Sequence, residues 1–216
     1  MKQKMNPDEL NLYPIIDHPF VQNKNIRDVA EALCLGNANL IQYRNKVTDS
    51  REFYDAALLI HEITLKYHVP LIVNDRLDIA LAIGAEGAHV GQTDLPATVV
   101  RKLTSKEFII GISVSNWEEF QTIEEADYLG IGAIFPTSTK ADAEHTGLDF
   151  LKQVRSKTQL PLVGIGGIHK QNLQNVLDHG ADGVAVISAL LTSDNIEQET
   201  REMANLISHF KEAKKL

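Results

Sequence analysis

The sequence predicts a closed (β/α)8 barrel of parallel strands, and three observations carry that reading. Short apolar, β-branched runs alternate with longer helix-like segments along the whole 216-residue chain. Those runs lack a polar face, as expected of parallel strands covered on both sides. There are eight of them, and eight strand–helix units are what such a barrel needs, here at the compact end of its size range. The competitor is an open doubly wound sheet, which usually has fewer strands and often a dinucleotide glycine fingerprint. Gly164-Ile-Gly-Gly167 follows a strand but does not spell G-x-G-x-x-G, and no G-x-x-x-x-G-K-[ST] loop occurs.

Taken in order, the expected strands are Tyr13–Asp17, Asn39–Asn45, Pro70–Asn74, Gly87–Gly91, Phe108–Val114, Ala126–Phe135, Pro161–Gly167 and Gly183–Ser188. The expected helices are Ile26–Leu35, Ser50–Tyr67, Leu77–Ile83, Ala97–Leu103, Trp117–Glu124, Leu148–Lys157, Lys170–His179 and Asn195–Lys214. No linker, low-complexity stretch or charge block interrupts them. One domain over residues 1–216 is therefore expected, with about the first twelve residues as an N-terminal extension.

Composition narrows the function. The chain is 44% hydrophobic and 23% charged, ordinary for a globular protein. Its formal net charge of −8 argues against non-specific binding to nucleic acid or anionic membrane. No apolar run approaches the ~20 residues that span a bilayer. Met1–Leu10 is polar and lacks a signal core, so a cytoplasmic location is expected. The sole cysteine, Cys34, excludes an intramolecular disulfide and reads as a small core residue on a helix. Trp117 reads as packing, and Lys211–Lys215 as a solvated helix end. A homodimer is compatible with the sequence but specified by no motif.

In a barrel of this kind the chemistry lies at the C-terminal ends of the strands. The second strand ends Gln42-Tyr-Arg44-Asn-Lys46, and strand period two places Gln42, Arg44 and Lys46 on one side. Two cations confined in a lumen are costly without a counter-anion. They point to a polyanion such as a diphosphate, unless both pair with local carboxylates. Asp75 and Asp94 follow the third and fourth strands, where each could cap the next helix. Together, beside a cationic pocket, they suggest magnesium, which takes one or two carboxylates along with phosphate oxygens.

Ser113 ends the fifth strand without a histidine–acid arrangement beside it, so it reads as a ligand donor and not a nucleophile. Phe135–Gly147, with Thr137, Ser138, Thr139 and Lys140, is the longest polar loop and suits a phosphate. Gly164–Gly167 and Val186–Ser188 end the last two strands, where barrels commonly cradle phosphate. His89 reads as a hydrogen-bonded barrel residue, not a metal ligand.

As a set, these motifs resemble the thiamine phosphate synthase family. Gln42-x-Arg44-x-Lys46, Asn74-Asp75, Gly91-Gln-x-Asp94, Gly111-Ile-Ser113, Thr137-x-Thr139-Lys140, Gly166-Gly167-Ile and Gly180-Ala-Asp-Gly183 carry the resemblance from about Tyr13 to Ser188. It implies a (β/α)8 barrel that joins 4-amino-5-hydroxymethyl-2-methylpyrimidine diphosphate to 4-methyl-5-(2-phosphoethyl)thiazole. The products would be thiamine phosphate and pyrophosphate, with Mg2+ required. The resemblance implies that Gln42, Arg44, Lys46, Asn74, Ser113 and Lys140 bind the pyrimidine diphosphate and that Asp75 and Asp94 hold the metal. It further implies that Thr137, Thr139, Gly167, Ile187 and Ser188 bind the thiazole phosphate, with Ser138 among the substrate contacts of the same loop. Arg44, Lys46 and Lys140 would stabilise the departing pyrophosphate.

Two positions depart from the family pattern: Asn45 where a glutamate is usual, and Ser115 where a histidine is frequent. Strand alternation turns Asn45 away from the lumen. Two other readings are a thiazole tautomerase and a non-catalytic thiamine-precursor binder. The first would tend to lack Asn74-Asp75 and the Thr-x-Thr-Lys loop, the second a metal acid or a cation, and this sequence keeps them all.

Overall fold

Eight strands hydrogen-bond in chain order around a closed barrel, every neighbouring pair parallel. The structure is a computed structural model, and it describes residues 10–137 and 145–215. The strands are β1 (Leu12–Asp17), β2 (Ile41–Arg44), β3 (Leu71–Asn74), β4 (Gly87–Val90), β5 (Ile109–Val114), β6 (Tyr128–Ile131), β7 (Leu162–Ile165) and β8 (Gly183–Val186). Around them run α1 (His18–Val21), α2 (Ile26–Leu35), α3 (Ser50–Lys66), α4 (Leu77–Ile83), α5 (Ala97–Leu103), α6 (Trp117–Phe120), α7 (Gly147–Arg155), α8 (Leu173–Asp178), α9 (Ser188–Leu191) and α10 (Ile196–Lys215).

Strand alternation sorts the core into two shells. Ile41, Tyr43, Leu71, Val73, Leu129 and Ile131 face outward and pack against the helices. Tyr13, Ile15, Ile72, Tyr128, Val163 and Ala185 face inward and fill the lumen. Cys34 lies buried in the outer shell, where burial pushes its thiol up to about 11. It is inert packing, as its sequence context indicates.

A fourfold repeat sits at the N-terminal end of the barrel, opposite the cavity. Before each even-numbered strand stands a residue at positive φ, then alanine, then an acid or amide: Asn37-Ala-Asn39, Gly84-Ala-Glu86, Glu125-Ala-Asp127 and Gly180-Ala-Asp182. The third residue accepts a backbone N–H at the entry of the preceding strand: Asn11 to Asn39 at 3.3 Å, Leu71 to Glu86 at 2.8 Å, Ile110 to Asp127 at 2.9 Å and Leu162 to Asp182 at 2.8 Å. In three of the four the acid also meets a basic side chain of a neighbouring helix: His61 at 3.3 Å, Arg101 at 2.5 Å and Arg155 at 3.0 Å.

Some boundaries differ from the sequence reading. Helix α6 stops at Phe120 instead of Glu124, and β6 begins at Tyr128 and ends at Ile131, not Phe135. Helix α8 begins at Leu173, because the Asn172 side chain bonds His169 N–H and the Gly167 carbonyl and holds that segment as a turn. The one-turn helices α1 and α9 carried no periodic signal. Trp117 is 40% exposed, stacking edge-on against Phe120 and Phe150 at the surface. The C-terminal lysines are not simply solvated: Lys211 bonds the Leu10 carbonyl, and Lys214 reaches Asp178 at 3.6 Å.

Candidate active site

The lumen opens at the C-terminal ends of the strands into a cavity of about 470 Å³. Gln42, Arg44, Lys46, Asn74, Asp75, Asp94 and Ser113 line it from β2 to β5, and Thr137, Gly167, Ile187 and Ser188 from β6 to β8. Eleven residues singled out from sequence thus meet around one space. The remaining three, Ser138, Thr139 and Lys140, lie outside the described residues.

Both cations at the end of β2 and just beyond it have carboxylate partners. Arg44 Nη1 donates to Asp17 Oδ1 at 2.7 Å, and Lys46 Nζ meets Asp75 Oδ2 at 2.9 Å. Asp17 is only 1% exposed, at the inward-facing end of β1. Sequence reasoning did not single it out, although its parity with Tyr13 and Ile15 places it in the lumen.

Asp75 sits at φ +61, in the left-handed region, which aspartate tolerates better than most residues. That turn directs its carboxylate sideways off β3 to Lys46. Asp94 Oδ2 accepts from Gly91 N–H at 2.8 Å. Burial holds the Asp94 carboxyl above the usual carboxylate range, and the neighbouring Asp75 charge pushes the same way against Gly91 N–H and Lys46.

The lumen floor is polar and continuous. Gln42 Nε2 donates to the Tyr13 hydroxyl at 2.8 Å, and that hydroxyl lies 2.8 Å from the Tyr128 hydroxyl. The Tyr128 hydroxyl is 2.9 Å from His89 Nδ1, and His89 Nε2 is 2.9 Å from Ser113 Oγ. His89 is thus a hydrogen-bonded barrel residue, as its context indicates. Neither tyrosine was singled out from sequence, since each reads there as ordinary strand-forming bulk.

At the rim, Ser115 N–H and Oγ both donate to Glu119 Oε2, at 2.6 and 2.8 Å, and both residues line the cavity. Asn45 is buried against the Tyr43 hydroxyl and Thr48 Oγ1, away from the lumen. On the far wall, Gly167 has φ +62, and a Cβ there would lie 2.6 Å from the Pro136 carbonyl oxygen. Gly167 lets two loops pack at van der Waals distance and leaves the adjoining space open. Helix α9 starts at Ser188 with no side-chain cap, so its first N–H groups are left to other partners.

The described charged groups on the cavity wall are two cations, Arg44 and Lys46, against three carboxylates, Asp75, Asp94 and Glu119. A diphosphate would need further positive charge there. Asp75 and Asp94, hard oxygen donors on adjacent strand ends, suit a divalent cation that shares phosphate oxygens. Among the described residues no group of three or more His, Cys, Asp or Glu side chains could hold a metal by itself. A two-carboxylate site completed by substrate is consistent with that.

A cation-and-carboxylate wall facing a glycine-and-hydroxyl wall defines a (β/α)8 barrel with a polar ligand cavity at the C-terminal ends of its strands. Residues 12–190 match the family described as thiamine monophosphate synthase, and the chain belongs to that family. It is 41% identical over 202 residues to the thiamine-phosphate synthase of Clostridium tetani, covering 93% of this chain and 97% of that one. It is 44% identical over 201 residues to the thiamine-phosphate synthase of Syntrophomonas wolfei, covering 92% and 96%. Among solved structures, thiamine phosphate pyrophosphorylase from Pyrococcus furiosus superposes with a TM-score of 0.85 at 34% identity, covering 94% and 98%. Among the described residues no helix is long and apolar enough to cross a membrane.

Proposed function

We infer that this protein is a thiamine-phosphate synthase, a transferase that moves the 4-amino-2-methylpyrimidin-5-ylmethyl group from its diphosphate to the thiazole phosphate. The carrying observation is the convergence of eleven family-matched residues from seven strand ends on one cavity. Ser113 Oγ lies 2.9 Å from His89 Nε2, and His89 Nδ1 faces the Tyr128 hydroxyl, where a nucleophile-activating dyad would place a carboxylate. That suits a dissociative reaction: the carbon–oxygen bond to pyrophosphate breaks first, and the thiazole nitrogen captures the resulting pyrimidinylmethyl cation.

The protein's work is then positional and electrostatic. Arg44 and Lys46 leave their carboxylate partners or share them with the diphosphate and stabilise the charge that grows on the leaving oxygen. Asp75 and Asp94 would hold Mg2+, which supplies further neutralisation of the diphosphate when bound. Gln42, Asn74 and Ser113 orient the pyrimidine, while Thr137, Gly167, Ile187 and Ser188 hold the thiazole phosphate. The family resemblance assigns Lys140 to the diphosphate and Ser138 and Thr139 to substrate contact. Nothing in the cavity chemistry favours thiazole isomerisation or silent binding, for which the acid pair would be superfluous.

The test is pyrophosphate release by the purified protein given both substrates, first with Mg2+ and then with EDTA. Metal-dependent release matched by thiamine phosphate is expected. Folded protein that releases none overturns the assignment, and proton exchange on the thiazole carboxylate phosphate would then separate tautomerase from binder.

A further inference from the structure

Gln42 and Ser113, on β2 and β5, both line the cavity, and an unbroken line of side chains joins them beneath it: Gln42, Tyr13, Tyr128, His89, Ser113. We propose that these five groups act as one directional relay that fixes which end of the cavity donates a hydrogen bond and which accepts, and so selects the ring held between them. The inference rests on the reading that the cavity takes an aminopyrimidine.

The direction follows from counting hydrogens. A phenol has one hydrogen, and a phenol buried between two partners is satisfied only if it accepts from one and donates to the other. Tyr13 and Tyr128 are both fully buried, and burial pushes both phenols far above their ordinary range, so neither ionises. Gln42 Nε2 donates to Tyr13, hence Tyr13 donates to Tyr128 and Tyr128 to His89 Nδ1. With Nδ1 accepting from Tyr128, His89 carries its hydrogen on Nε2 and donates to Ser113 Oγ.

The outcome at the cavity is asymmetric: Gln42 Oε1 is left to accept, and the Ser113 hydroxyl to donate. Reversal would require an amide flip, two hydroxyl rotations and a tautomer change together. A pyrimidine with an exocyclic amine on one side and a ring nitrogen opposite it matches this polarity. Replacing the amine by a carbonyl inverts the amine's side. The fold reserves space for the relay, because a Cβ on Gly111 would lie 2.3 Å from the Tyr128 hydroxyl and 2.4 Å from His89 Nδ1.

Tyr13, Tyr128 and His89 are therefore positioning residues that never need to touch substrate. The experiment measures binding, not turnover, by titration calorimetry with 4-amino-5-hydroxymethyl-2-methylpyrimidine monophosphate and its 4-oxo analogue. The parent should favour the amine by about tenfold or more, the worth of one mismatched buried hydrogen bond. Tyr128→Phe and Tyr13→Phe each keep the ring and cut the chain at a different link, and each should bring that preference within about threefold. Should Tyr128→Phe fail to fold by circular dichroism, Tyr13→Phe decides alone.

A purely structural role would weaken both ligands alike and leave their ratio at the parental value, and that result overturns the relay. A parent that binds both ligands equally overturns it too. A parent that binds neither monophosphate overturns the cavity assignment, and the relay falls with it.

Discussion

Arg44 shows what a single side chain is asked to do. Its partner Asp17 is almost fully buried, whereas Arg44 keeps 19% of its side chain at the cavity mouth. Removing the two members should therefore have unequal effects. Arg44→Ala strands a buried carboxylate, which costs about 3 kcal/mol and lowers Tm by roughly 6–12 °C in a chain of this size. Asp17→Asn leaves an arginine that can turn toward water and should cost about 1 kcal/mol. Thermal denaturation of both variants checks the order, and equal losses would contradict the burial argument. Turnover should vanish in Arg44→Ala even where the fold is intact.

Asp94 makes the converse case. Burial, aided by Asp75, raises its folded-state pKa, so in metal-free protein the ionised carboxyl costs stability at neutral pH. That cost fades as pH falls through the raised folded value toward the ordinary carboxylate range near ~4. Asp94→Asn should thus raise the Tm of EDTA-treated protein at pH 7 by about 2 °C, a figure kept small by solvent screening. The gain should disappear below pH ~4, and pyrophosphate release should be lost at every pH. A variant less stable than its parent at pH 7 would sink this account. Both acids were legible in the sequence as polar residues at strand ends. Asp17 was not, because its meaning depends on a partner 27 residues away.

The strand–helix unit was the most legible level, since each continuous apolar run and each helical period could be recognised on its own. All eight strands and the core of eight helices stand where that pattern puts them. The errors sit at element ends, where side-chain geometry decides, as at Asn172, or where no periodicity exists, as in one-turn α1 and α9. The fourfold acid-to-strand repeat escaped notice because its spacing varies and its third residue changes type among Asn, Glu and Asp. It predicts graded costs. Asp127 is 6% and Arg101 12% exposed, whereas Asp182 and Arg155 are 22% and 25% exposed. Asp127→Ala removes a buried ion pair and orphans Ile110 N–H, a loss of about 3–5 kcal/mol. Asp182→Ala should cost about half as much, because water reaches its pair. Urea unfolding measures both. Any Asp127→Ala protein that remains folded should keep its kcat, since this repeat lies on the stability face of the barrel.

For the whole molecule, the closed barrel holds two chemically different walls at fixed separation around one cavity. The cation-and-carboxylate wall from β2 to β4 and the glycine wall from β6 to β8 rise from opposite arcs of the barrel, and the polar floor links β1, β2, β4, β5 and β6 beneath the cavity. Damage to one wall should therefore leave the other's affinity nearly unchanged, as additivity at separated sites requires. Gly167→Ala is the sharper probe. Its Cβ must displace the Phe135–Pro136 backbone, and alanine is strained at φ +62, so that wall shifts as a unit. Calorimetry should show thiazole phosphate binding weakened by about tenfold, the effect of one lost phosphate hydrogen bond. Pyrophosphate binding with Mg2+ should stay within about twofold of the parent. Arg44→Ala should give the reverse pattern. If Gly167→Ala weakened both ligands equally, the two walls would form one coupled site, and the division of the cavity into a diphosphate side and a thiazole side would be wrong.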